Sequence, residues 1–348
     1  MKAMVLKGLS DFGRNASSLE LTEAAKKPVP GPDQLLVRVL RCGVCHTELD
    51  EIEGRTPPPR FPVIPGHQVV GRVEEMGDEA VRKKRFKPGD RVGVAWIYSA
   101  CGRCGFCLEG RENLCADFRA TGRDANGGYA EYMAVPGDFA YKIPAVFSDS
   151  EAAPLLCAGS VGYRSLRLSG IRDGDSIGLT GFGASGHLVL AMARHKYPGS
   201  RVFVFSRSES ERDFARGLGA FWAGDTGDRP PEKLRSIIDT TPAWGPAVSA
   251  LSALERGGRL VINAIRKEDS DKQKAFGQID YPRDLWMEKE IKSVANITRR
   301  DVEEFLSLAA GIPIRPEVQE YSLEEANKAL LEITQRKIRG AKVLRISD

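Results

Sequence analysis

Near residue 150 the sequence changes rhythm, and that change restricts the fold more than any single motif does. Before it, short apolar runs are broken by clusters of Gly and Pro: PVPGPD, TPPPRFPVIPG and FKPGD. Residues 2–7, 35–40, 68–75 and 91–97 read as strands between those clusters. Such punctuation predicts an irregular β-rich domain with long loops. After it, strands alternate with helices. SDSEAAPLLCAGSVGYRSLRL reads as a helix, SIGLTG as a short apolar strand and GASGHLVLAMARHKY as a helix. SRVFVFS is a strand again, ESERDFARGLGA a helix, and LRSIIDTT, GRLVINAI and EIKSVAN continue the strands. Alternation of this kind predicts an α/β unit: a doubly wound parallel sheet covered on both faces. The tail differs once more. VEEFLSLAAG is helical, EVQEYSLEEANKALLEITQRK holds another helix, and AKVLRIS is a final strand placed to rejoin the first domain. A chain of 348 residues has room for two domains. The expected division is residues 1–150 plus 305–348 for the β-rich domain and 151–304 for the α/β domain.

The bulk chemistry excludes some partners. Charged residues make up 28% of the chain but nearly cancel, leaving a formal +4. That balance argues against nucleic acid or an anionic membrane held by charge. Apolar stretches are interrupted too often for a membrane-spanning helix. The start, MKAMVLKGLSDFG, lacks a signal-peptide layout, so a cytoplasmic location is expected. The 7 cysteines then read as metal ligands or free thiols instead of disulfides.

Four of those cysteines crowd into CGRCGFCLEGRENLC: Cys101, Cys104, Cys107 and Cys115. Four thiolates this close can converge on one tetrahedral ion, and zinc is its usual occupant. Such a closed site leaves no position for substrate. Its expected work is to hold a lobe, residues 98–120, that has no core of its own. A nucleic-acid-binding zinc module is the non-enzymatic alternative. The absence of a basic helix beside the cluster disfavours it.

SIGLTGFGASGHLVL carries G-x-G-x-x-G as Gly181, Gly183 and Gly186. It follows an apolar strand and opens a helix, the context a dinucleotide site requires. The first glycine permits a tight turn, the second lets backbone approach a pyrophosphate, and the third lets helix and strand pack closely. Free N–H groups and the helix dipole then face the anion. The next strand ends in Ser206, Arg207 and Ser208. An NAD site normally ends that strand with a carboxylate for the ribose 2′-OH. Hydroxyls and a guanidinium suit a 2′-phosphate instead, so NADP(H) is expected over NAD(H), with a permissive site as the alternative.

CGVCHTEL, GHQVVGRVEEMG, the four-cysteine lobe, PLLCAG and GFGASG occur in this order along the whole chain. In these motifs the chain resembles the zinc-dependent medium-chain alcohol dehydrogenases, most of all their cinnamyl-alcohol-dehydrogenase-like bacterial branch. The resemblance implies a GroES-like catalytic domain beside a Rossmann cofactor domain, with the active site in the cleft between them. It implies a second zinc, two per chain, held by Cys45, His67 and Cys157, the ligand set known for alcohol dehydrogenases. Glu48 then resembles the acid that orients His67. Thr47 resembles the hydroxyl that passes the alcohol's proton toward the cofactor ribose. His46 resembles a residue near the cofactor phosphates, and Trp96 an aromatic wall of the substrate pocket, with core packing as the plainer role. Cys42 reads as a small buried thiol, His187 as a packing residue and His195 as solvated. A homodimer or homotetramer is implied, and GGRLVINAI is the kind of strand through which sheets pair.

Three positions depart from the family. Gln68 follows the ligand-type His where Glu is common, and Asp50 stands where a relay His is common. A carboxylate is the weaker base of the two. Ala341 replaces a phosphate-facing Arg; either Arg339 or Lys342 takes that role or the contact is missing. The expected reaction is reversible hydride transfer between a nicotinamide cofactor and a primary alcohol or aldehyde. Two enzymatic rivals remain: a zinc-free quinone or enone reductase of the same superfamily, and a polyol dehydrogenase.

Overall fold

The computed structural model describes residues 1–13, 17–312, 314–335 and 340–348. The chain forms two compact units. The first comprises Met1–Cys157, Thr298–Ala310 and Arg315–Asp348; the second comprises Ala158–Ile297 and Gly311–Ile314.

The first unit is built on a sheet whose central strand, Gln34–Val44, is buried along nearly its whole length. Its QLLVRVLRCGV sequence is apolar on both faces, as a strand covered on both sides must be. Gln68–Met76 pairs antiparallel with it on one edge, and Arg91–Val94 and Ala140–Lys142 follow outward. The last strand of the chain, Ala341–Arg345, lies antiparallel on the other edge, with Val343 opposite Gly43. Val318–Ser322 pairs parallel beyond it. Fully buried Tyr129, Tyr141, Phe12, Phe147, Leu35 and Leu36 fill this unit's core.

The second unit holds a six-stranded sheet in which every pairing is parallel. Its order is Trp222–Gly224, Arg201–Phe205, Ser176–Thr180, Leu234–Asp239, Leu254–Ile262, Glu290–Ser293. Ser176–Thr180 is buried at all 5 positions. The chain first winds outward from this strand and then returns to its other side. That reversal makes the end of Ser176–Thr180 a topological switch point, where α/β sheets bind ligands. Phe203, Phe205, Ile237, Leu251 and Leu260 pack into one apolar cluster of this unit.

Three local expectations need correction. The strand read at 91–97 is two, Arg91–Val94 and Ile97–Ser99, because the second turns aside to pair with Arg119–Ala120. The helix read from 148 to 168 is broken: Asp149–Pro154 and Ser160–Ser169 are α-helical, and Leu155–Gly159 between them is a π turn. Pro154 lies at the break and cannot donate an in-helix hydrogen bond. GGRLVINAI is not available for pairing with another sheet. Its residues 257–262 belong to the strand Leu254–Ile262, already flanked on both sides, and the edge is Glu290–Ser293, exposed at all 4 residues. Among the described residues, no helix is long and apolar enough to cross a membrane.

Candidate active site

Cys45 caps the helix His46–Ile52, which starts where the central strand of the first unit ends. His67 immediately precedes the strand Gln68–Met76. The pairing of Gly43 with Gln68 brings these two ends together. Gly66 makes the approach possible: its φ is +97, and a Cβ there would lie 2.3 Å from a ring carbon of Tyr129. Cys157 arrives on the π turn, a distortion frequent at functional sites.

The donor atoms of Cys45, His67 and Cys157 all lie within 4.8 Å of one another. The Cys45 and Cys157 Sγ atoms are 4.0 Å apart. Two thiolates on one tetrahedral zinc, with Zn–S near 2.3 Å, stand about 3.8 Å apart. The set therefore fits such an ion. Glu48, fully buried, orients both sides of it: Oε1 lies 2.6 Å from His67 Nδ1, and Oε2 accepts from the Cys45 backbone N–H at 2.8 Å. With Nδ1 engaged, Nε2 is the His67 nitrogen left for a metal. The hydrogen bond between the two thiols holds Cys45 well below the usual thiol range, and burial opposes that shift without cancelling it. Burial alone would lower His67, but the Glu48 charge and the Cys45 contact raise it well above the usual imidazole value. The site thus favours a thiolate.

Thr47 Oγ1 sits 3.6 Å from Cys45 Sγ, beside the same set. Asp50 is differently employed: its buried carboxylate is bound by Arg55, with His46 Nε2 at 4.0 Å. Arg55 escaped the sequence reading, although its i+5 spacing from Asp50 was visible. His46 is 64% exposed in its side chain. Trp96 is 8% exposed, tilted against Phe118 at 5.1 Å, with the Arg123 guanidinium over its ring. Its indole Nε1 is buried and has no hydrogen-bond partner among the described residues. Gln68 is buried, its side chain packed against Gly43. Cys42 is a fully buried thiol of the central strand.

Cys101, Cys104, Cys107 and Cys115 also converge within 4.8 Å. The separations of 3.9 Å between Cys101 and Cys107 and 3.6 Å between Cys104 and Cys107 again match a tetrahedral thiolate site. Backbone N–H groups of Arg103 and Cys104 hold Cys101 down to about 6. The ribbon Ile97–Ser99 with Arg119–Ala120 closes the base of this lobe. Buried Glu112 ties it to the helix Arg299–Gly311, accepting from Arg299 N at 2.8 Å. That anchor spans 187 residues and left no sequence signal. All 7 cysteines are free thiols in this structure.

In the second unit, Gly181 takes φ +82, and a Cβ there would meet Thr240 Oγ1 at 2.9 Å. A Cβ on Gly186 would lie 2.7 Å from Gly181 O, so turn and helix are in close contact. At Gly183 a Cβ would meet nothing within 4 Å. Gly183 also starts the helix Ala184–Lys196 without a side-chain cap, leaving its first N–H groups free for an anion. The cradle fits a pyrophosphate. His187 Nδ1 lies 3.0 Å from Gly183 O, and His195 is exposed.

Ser206 and Ser208 are not open hydroxyls. Ser206 is 4% exposed; its Oγ donates to Glu211 and accepts from Ser208 N at 3.3 Å. Ser208 caps the helix Glu209–Gly217, and Arg207 is exposed. Arg212 donates to the carbonyls of Ser206 and Arg207 at 2.7 and 3.0 Å. Glu211 and Arg212 were missed in sequence. In the first unit, Lys342 is buried and bound to Glu332 and Tyr321, so its ammonium already has partners. Arg339 lies outside the described residues.

The Alcohol dehydrogenase GroES-like domain family matches residues 31–145. A probable alcohol dehydrogenase AdhA of Mycobacterium tuberculosis (strain CDC 1551 / Oshkosh) is 43% identical over 321 residues, 92% of this chain and 90% of its own length. Among solved structures, a cinnamyl alcohol dehydrogenase from Sorghum bicolor superposes with a TM-score of 0.82 at 26% identity, covering 99% of this chain and 97% of that one. A cobalt- and zinc-bound thermostable alcohol dehydrogenase from Pyrobaculum aerophilum gives 0.82 at 25% identity, covering 99% of each chain. With the converging thiols and imidazole, the glycine turn at the switch point and this whole-length likeness, the chain belongs to the zinc-type, NAD(P)-dependent medium-chain alcohol dehydrogenase family.

Proposed function

We propose that the protein catalyses reversible hydride transfer between a nicotinamide cofactor, NADPH in preference to NADH, and a primary alcohol or its aldehyde. The observation that carries this reading is the convergence of Cys45, His67 and Cys157 with Glu48 behind the imidazole. These three residues would hold a catalytic zinc, and the four-cysteine lobe a structural one. Zinc supplies Lewis-acid polarisation of the substrate oxygen, and the nicotinamide supplies the hydride. The chain's own residues do the rest. As three protein ligands, Cys45, His67 and Cys157 would leave a position for the substrate oxygen. The two thiolates would balance the charge of the ion. Glu48 fixes the tautomer of His67. Thr47, beside Cys45, holds and passes the proton of the alcohol oxygen. Asp50 is bound to Arg55, so the proton leaves Thr47 through water or the cofactor. Trp96 forms one wall of the substrate pocket, and His46, exposed at a helix start, lies with the cofactor phosphates.

The glycine turn of residues 181–186 binds the pyrophosphate on the helix that it opens. Arg207, exposed at the strand end beside Ser206 and Ser208, receives the 2′-phosphate that distinguishes NADPH. The protein works as a homodimer or homotetramer, its edge strand Glu290–Ser293 offering unpaired backbone groups to a second copy. Seven free thiols suit a reducing cytoplasm.

Initial rates of benzaldehyde reduction by the zinc-replete protein, with NADPH and NADH side by side, test this reading. Faster turnover with NADPH supports it. Turnover with NADH alone keeps the reaction and refutes the cofactor preference. Reduction of a quinone or enone that survives complete zinc removal favours the zinc-free reductase. A polyol dehydrogenase commonly has Glu in the place of Cys157, which disfavours that rival.

A further inference from the structure

The carboxylate that an NAD-type site carries at the end of its second strand is missing from the sequence, where Ser206 stands. The structure returns one to the same place from a different element. Glu211, in the first turn of the helix Glu209–Gly217, accepts the hydroxyl proton of Ser206. A serine hydroxyl has a single proton, so Ser206 cannot donate to Glu211 and to a ligand at once. One of its two lone pairs is also engaged, by Ser208 N at 3.3 Å. Ser208 Oγ accepts from Glu211 N at 3.4 Å and shares a hydrogen with Ser210 at 2.8 Å. Arg212 reaches back to the carbonyls of Ser206 and Arg207. The strand end is thus a closed hydrogen-bonded ring with a carboxylate at its centre and an exposed guanidinium, Arg207, outside it.

We infer that Glu211 is a specificity-determining residue that penalises the 2′-phosphate, opposing Arg207. This rests on the reading that the glycine turn binds a nicotinamide dinucleotide, and is independent of which cofactor is preferred. A ribose 2′-OH adds to the ring without breaking it, since the second Glu211 oxygen has no partner among the described residues and can accept its proton. A 2′-phosphate brings two further negative charges toward the carboxylate. It gains the Ser206 proton only when the bond to Glu211 opens. The cofactor preference is therefore a balance between Arg207 and Glu211.

The test compares Glu211→Gln with the unaltered full chain, titrated calorimetrically with 2′,5′-ADP and with 5′-AMP, fragments that differ by the 2′-phosphate alone. The ratio of kcat/KM for NADPH and NADH is measured alongside. The amide keeps size and hydrogen bonding but not charge. One like-charge contact at about 4 Å corresponds to about a fivefold effect even at the dielectric of bulk water and to more beside a protein surface, so both ratios rise at least about fivefold toward the phosphorylated ligand. Glu211→Ala gives the same direction if the amide variant proves unstable. Ratios unchanged within about twofold, with both fragments still bound, overturn the inference and leave the dinucleotide site standing. Failure of the unaltered chain to bind either fragment overturns both.

Discussion

Replacing Glu48 by Gln probes the site with almost no change of shape. Glu48 is fully buried and receives two donors, the His67 ring at 2.6 Å and the Cys45 backbone N–H at 2.8 Å. With His67 Nε2 on a metal, Nδ1 carries the proton, so both contacts point hydrogens at the carboxylate. A glutamine offers one oxygen and one NH2. Whichever way the amide turns, one donor faces another, and a buried hydrogen bond left unmade costs about 1–3 kcal/mol. Loss of a partner behind a metal-ligating His typically weakens metal binding by about 10–100-fold, equivalent to about 1.4–2.7 kcal/mol. The two routes agree. The assay is zinc retained by the variant after equilibration against graded zinc buffers. The four-cysteine lobe, which Glu48 does not touch, serves as the internal reference. One of two zinc ions should loosen by about 10–100-fold while the other holds. Equal retention of both, in a variant that stays folded, would refute the reasoning.

Other outcomes follow from the same geometry. Cys104→Ala should unfold the lobe of residues 98–120, lowering the melting temperature more than turnover per folded molecule; unchanged stability with lost turnover contradicts a structural site. Gly181→Ala forces a side chain into φ +82 with its Cβ 2.9 Å from Thr240 Oγ1. It should cost at least about 1–2 kcal/mol in chemical denaturation and raise the cofactor KM, and wild-type values for both would count against the tight turn. Ile291→Glu, on the exposed edge strand, should shift the protein toward monomer in sedimentation velocity without destabilising its core. An unchanged assembly places the interface elsewhere.

Much of the fold was legible because it is written locally. The contrast between Gly/Pro-broken runs and strand–helix alternation gave two architectures, and the glycine motif sits at the sheet's switch point. The four-cysteine run places its own ligands within a few turns of chain. What escaped depends on distant partners. Cys157 was assigned through family resemblance, and nothing in PLLCAG announces a π turn. The anchoring of Glu112 to Arg299 joins residues 187 apart. Ser206 reads as an open hydroxyl until the fold brings Glu211 onto it. Asp50 reads as a relay group until Arg55 folds back over it. GRLVINAI has the apolar composition of a pairing strand, yet the polar EIKS segment takes the edge. Composition marks a strand, but its neighbours are set by how the chain crosses over.

The central claim is that Cys45, His67 and Cys157 hold a catalytic zinc distinct from the one in the lobe. Zinc per chain and aldehyde reduction, measured together on the unaltered protein and on His67→Ala, test it most directly. The account predicts two zinc ions falling to one, with the melting temperature of the lobe retained and turnover abolished. A His67→Ala protein that keeps both ions and its turnover would contradict it.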